Sequence, residues 1–92
     1  MAYMLTRIQV DDYDTWKQMF DTDPFGVRSS ATSHRILRSV EDPNELSVSV
    51  EFASAGDAAA ARERLVSSGV FERVALKSGP TVAEEAETRS YA

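Results

Sequence analysis

The stretch His34–Phe52, HRILRSVEDPNELSVSVEF, decides the fold. Leu46, Val48, Val50 and Phe52 alternate with Ser47, Ser49 and Glu51, and successive side chains of a strand point to opposite faces. One face is therefore apolar and packs on a core, while the other presents hydroxyls and a carboxylate. Upstream, EDPNE places Pro43 at the second position of a β-turn opened by Asp42, where its fixed φ suits the turn. Residues 34–52 thus read as a hairpin of two strands, His34–Val40 and Leu46–Phe52.

The segments on either side complete a repeating order. Tyr3–Val10 is rich in extended-favouring residues and predicts a strand. Its Tyr3, Leu5, Arg7 and Gln9 share one face, with Met4, Thr6, Ile8 and Val10 on the other. In DDYDTWKQMF, Tyr13, Trp16 and Phe20 recur at helical spacing with Met19 beside them. Asp11 or Asp12 serves as N-cap, Asp14 complements the helix dipole, and Pro24 and Gly26 mark the end. Gly26–Ser33, GVRSSATS, has no period and reads as a surface loop.

After the hairpin, Ser54 and Asp57 have capping-box spacing, and DAAAARERLVSS follows as a helix. Ala58, Ala61 and Leu65 form its apolar stripe, Arg62–Arg64 its solvated side, and Gly69 its left-handed end. VFERVALKSG predicts one or two more helical turns, with Phe71, Val74 and Ala75 inward and Gly79 as terminator. Pro80–Glu87 reads as the last strand, with fraying from about Thr88. The order is β-α-β-β-α-β, an α+β ferredoxin-like arrangement with a four-stranded antiparallel sheet and both helices on one face.

Composition limits the function classes. The 92 residues form a single domain over 1–92, small enough that association would add useful buried surface. Ten Lys and Arg against fifteen Asp and Glu give a net charge of −5, which argues against phosphate backbones and anionic membranes as partners. With no cysteine and one histidine, no nitrogen- or sulfur-ligated metal site is expected, and no cofactor motif is present. MAYMLTRIQV lacks the features of a secretory leader, and no run suffices for a bilayer span, so the expected compartment is the cytoplasm.

Only one sheet face is covered by helices in this arrangement, so Ser47, Ser49 and Glu51 face either water or a cavity closed by a second sheet. Here the chain resembles the dimeric α/β barrel superfamily, and within it small proteins related to the antibiotic-biosynthesis monooxygenases. The resemblance is carried by YMLTRIQVDDYDTWKQMFD, by HRILRSVEDPNELSVSVEF and by SGVFERVALKSGP, and extends to about Glu87. It implies a homodimer joined through the open sheet faces into a dimeric α/β barrel. It also implies a pocket within that barrel or between each sheet and its helices.

Two functions follow as expectations. The first is a cofactor-independent oxygenase acting on an aromatic or polyketide-like substrate, whose anion a base would generate in an apolar pocket. His34, the one side chain with an ordinary pKa near neutrality, is its candidate catalytic base; the competing reading is a surface histidine. Arg7, Trp16, Phe20, Ser49 and Glu51 are the candidate ligand-binding residues. Arg7 and Glu51 read as an ion pair or an anion site, and the aromatic stripe as core or pocket wall. Relatives of this type often carry a histidine next to the position of Arg7, where this chain has Ile8. That departure supports the second function, a non-catalytic dimeric module that binds a small ligand or stabilises an assembly.

Overall fold

The computed structural model describes residues 1–92. It contains β1 (Ala2–Gln9), α1 (Tyr13–Thr22), β2 (Ala31–Arg38), β3 (Glu45–Phe52), α2 (Ala55–Ser67), a 3-10 turn at Val70–Glu72, and β4 (Ala75–Glu84). The four strands form one antiparallel sheet in the order β2-β3-β1-β4, the ferredoxin-like order expected from the sequence. Met4, Thr6 and Ile8 stand opposite Val50, Val48 and Leu46, so the two apolar phases meet on the helix side. Leu46 and Phe52 are fully buried there, with Met4, Ile8, Val10, Trp16, Ala58 and Ala61 around them.

Local chemistry sets the element boundaries. Asp12 caps α1 by accepting from the Thr15 amide at 2.9 Å and the Thr15 hydroxyl at 2.8 Å. Asp23, left-handed at φ 45°, closes its other end. Ser54 caps α2 by accepting from the Asp57 amide at 3.1 Å. In the hairpin turn, Glu45 N–H donates to the Asp42 carbonyl at 2.9 Å, as the Pro43 placement requires. Asn44 carries the turn across to α1: its Oδ1 accepts from the Tyr13 amide at 3.1 Å and its Nδ2 donates to the Asp11 carbonyl at 3.2 Å.

Three features differ from those the sequence suggested. β2 begins at Ala31, inside the expected loop, because its edge pairs with Glu51 and Phe52 of β3. Beyond Gly69 there is one 3-10 turn, and Ala75–Gly79 belongs to β4 instead of to a helix. β1 supplies the partner that overrides helix propensity there: Gln9, Ile8 and Arg7 pair with Ala75, Leu76 and Ser78. Finally, Arg62 and Arg64 are anchors as well as solvated side chains. Arg62 Nε donates to the Pro80 carbonyl at 2.8 Å, and Arg64 Nη1 to the Gly26 carbonyl at 3.0 Å.

The two helices sit at different heights. α2 meets the sheet through Ala58 and Ala61 and approaches β1, β3 and β4 closely, whereas α1 approaches no element so closely. Small side chains let one backbone settle onto the strands, while Trp16 and Phe20 hold the other away. No helix is long and apolar enough to cross a membrane.

Candidate functional site: a cavity beneath the first helix

The difference in helix height leaves a cavity of about 90 Å³ between sheet and helices. Thirteen of its seventeen lining residues are hydrophobic. Met4, Ile8, Val48 and Val50 form its floor, Trp16, Met19 and Phe20 one wall, and Leu65, Phe71 and Val74 another. Trp16 and Phe20 stack with ring centroids 4.9 Å apart, so the aromatic stripe is both core and pocket wall. Thr6 is the one polar side chain of the buried core, and it lies in the floor.

Asp23 and Arg28 are the charged residues of the lining. The Arg28 guanidinium lies 3.9 Å from the Phe20 ring centroid and donates to the Phe20 carbonyl. Its Nε stands 3.8 Å from Asp23 Oδ1, close enough for charge attraction but too far for a hydrogen bond. The Asp23 carboxylate accepts from the Arg28 backbone N–H, at 3.1 Å for the shorter contact.

The six candidate residues from the sequence divide between two sides of the sheet. Trp16 and Phe20 line the cavity. Arg7, Ser49 and Glu51 lie on the open face, whose register sets Arg7 opposite Ser47, Leu5 opposite Ser49, and Tyr3 opposite Glu51. The expected Arg7–Glu51 pair does not form, because four residues of strand separate their rungs. Arg7 Nη2 instead donates to Glu45 Oε1 at 2.6 Å, a diagonal neighbour. Glu51 accepts from the hydroxyls of Thr32 and Ser33, both at 3.4 Å.

His34 lies on the helix side of the edge strand, paired with Val50, and is exposed. Its ring meets the edge of Phe20 at 5.1 Å between centroids, and it is not among the cavity-lining residues. The single histidine therefore abuts the back of the cavity wall without reaching inside.

Two groups have displaced proton affinities. The Tyr3 hydroxyl donates to Glu85 Oε1 at 2.9 Å; that bond, followed by burial and nearby Glu51, raises its pKa above the ordinary 10.0. The Thr15 hydrogen bonds hold the Asp12 carboxyl below its ordinary 3.8. Neither residue belongs to the cavity, and no group of three His, Cys, Asp or Glu is arranged to hold a metal ion.

Sequence reading missed Thr6, Asp23 and Arg28. Thr6 was detectable as the polar member of an otherwise apolar strand phase, Met4-Thr6-Ile8-Val10. Asp23 and Arg28 carry no such signal, since their placement depends on how an aperiodic loop folds back over α1. Comparisons with protein-family models, curated proteins and solved structures gave no match to this chain.

Proposed function

We propose that this protein is a homodimeric binding module for a small, largely apolar ligand held between the sheet and the two helices. The observation that carries the reading is the cavity, apolar on most of its surface and bordered by stacked Trp16 and Phe20. Its volume of about 90 Å³ is below the ~150 Å³ of a dry cavity that takes benzene. At rest it holds an aliphatic chain of about three or four carbons, and a six-carbon chain or a single aromatic ring needs Met19 or Phe25 to move aside. A polyketide-sized ring system exceeds it.

A non-catalytic role is favoured over an oxygenase by the position of His34. A base must come within hydrogen-bond reach of the proton it removes, and Phe20 stands between His34 and the cavity. The open face and the family resemblance support self-association. Four strands at ~4.8 Å spacing, eight residues long at ~3.3 Å each, make a face of roughly 500 Å² in projection. That is the right order for a specific interface burying about 800 Å² per partner. Leu5 and Leu37 stand exposed on this face, and a second copy would cover them.

Thermal unfolding in the presence of small apolar molecules (toluene, cyclohexane, indole, hexanol) tests the binding role. A ligand at a hundred times its Kd adds ~2.7 kcal/mol, which raises Tm by roughly 10–20 °C in a domain of this size. An unchanged Tm across the whole panel overturns the proposal.

A further inference from the structure

We propose, building on that binding role, that the cavity selects ligands with an apolar tail and an anionic head, the class of short-chain or single-ring carboxylic acids, and that Arg28 is the residue that recognises the head.

Arg28 has unused hydrogen-bonding capacity beside the cavity. A guanidinium has five N–H donors in a fixed planar fork that matches a carboxylate. Arg28 commits Nη2 to the Phe20 carbonyl, and no other hydrogen bond of its side chain forms within the chain. Its Nε contact with Asp23, at 3.8 Å, is longer than a hydrogen bond. The side chain is only 17% exposed, so water cannot solvate the spare donors freely. A charged group held in this way at the mouth of an apolar cavity is placed to receive an acceptor.

Packing fixes where the donors stand. Phe20 takes the guanidinium on its face at 3.9 Å and Trp16 against its ring at 4.9 Å. The same aromatic wall thus touches both the ligand tail's space and the recognising cation. Arg is suited to such a site because it keeps its charge when partly buried and stacks on aromatic rings.

Asp23 sets the sign question, since it also lines the cavity and would repel an anion. Its carboxylate is already engaged by the Arg28 backbone N–H and faces the Arg28 guanidinium. A second cation, Arg64, is anchored on the same loop through the Gly26 carbonyl at 3.0 Å and Ser29 Oγ at 3.2 Å. Two arginines against one aspartate leave the loop positive within a chain of net charge −5. An ammonium head finds no equivalent place, because the Phe20 face is occupied by Arg28.

Trp16 is the only tryptophan and lines the cavity, so its emission reports occupancy directly. The experiment is titration of the intact protein with hexanoate, 1-hexanol and hexylamine at pH 7, which share one tail and differ in the head. Hexanoate is expected to bind at least tenfold more tightly than hexanol, with hexylamine weakest. Arg28→Gln should reduce the hexanoate preference to below threefold while hexanol affinity stays within threefold of the parent.

Equal binding of hexanoate and hexanol to the parent protein overturns the assignment of Arg28 and leaves the apolar cavity standing. Binding of none of the three overturns the cavity reading as well. An Arg28→Gln protein that retains the full hexanoate preference also refutes the assignment. The head-group comparison on the parent protein needs no variant, so the test survives if Arg28→Gln fails to fold.

Discussion

Replacing Gly79 by alanine should be the most damaging single-methyl change in the molecule. Between the pairs Leu5–Thr81 and Arg7–Ser78, Gly79 and Pro80 together stand opposite the single residue Thr6, forming a bulge beside the cavity floor. Gly79 has φ +84°, and a Cβ built there falls well under 3.0 Å from the Leu5 carbonyl oxygen and 3.1 Å from the Thr81 nitrogen. Both neighbours are backbone, so relief requires the strands to part. The left-handed conformation costs a non-glycine residue about 1–2 kcal/mol, and forced displacement of packed structure a further ~1–3 kcal/mol. The expected loss is about 2–5 kcal/mol, against a total stability of roughly 5–14 kcal/mol for a chain of this length. Tm should fall by at least ~8 °C. Gly56→Ala is the internal control: it sits in α2, its nearest neighbour is Ser54 Oγ at 3.8 Å, and it should gain about 0.5–1 kcal/mol. Urea unfolding followed by Trp16 emission measures both. A Gly79→Ala protein within 0.5 kcal/mol of the parent would refute the close-approach argument.

Three further outcomes are expected. Thr6→Val removes the polar atom of the cavity floor at nearly constant volume, so it should leave the fold intact and strengthen binding of purely apolar ligands by a few-fold in the Tm assay. Asp12 has its folded-state pKa depressed by the Thr15 hydrogen bonds. Its contribution is therefore complete above the ordinary value of 3.8 and lost as pH falls through the lower, folded-state value. Asp12→Asn, which caps without titrating, should flatten that part of the acid-unfolding curve, and an unchanged acid limb would contradict the capping role. Light scattering should give twice the 10.1 kDa chain mass, and Leu5→Glu, at the centre of the open face, should shift the protein to monomer. A parent protein that stays monomeric across a tenfold concentration range would remove the dimer from the account.

The sequence made the architecture readable because its strongest signals were local. Leu46–Phe52 alternates without exception, Pro43 suits a turn that closes two residues later, and Ser54 announces α2 three residues before Asp57 closes the motif. β4 was only half readable. ALKSG favours no strand by itself, and it becomes one because β1 pairs with it and Gly79 tolerates the close crossing over Leu5. The same holds for Ala31–Ser33, small residues made extended by the edge of β3.

The site was less legible than the fold, for a related reason. Alternation separates Arg7, Ser49 and Glu51 from the helix side, and it correctly grouped them on one face. The cavity, however, arises from the different heights of an alanine-faced helix and an aromatic-faced helix over one sheet. That height difference appears only when both helices are packed. Arg28 comes to the cavity lining through a loop with no periodicity, and His34 faces the helix side because the β2–β3 register sets it opposite Val50.

The most direct test of the central claim is methyl NMR mapping of a bound ligand on the labelled protein, with hexanoate or hexanol as probe. The two candidate sites have separate reporters: Ile8, Met19, Val48 and Val50 for the cavity, and Leu5 and Leu37 for the open sheet face. Shifts confined to the first group, saturating with ligand, are the predicted result. Shifts confined to Leu5 and Leu37 would place the ligand in the barrel between two sheets and contradict the account.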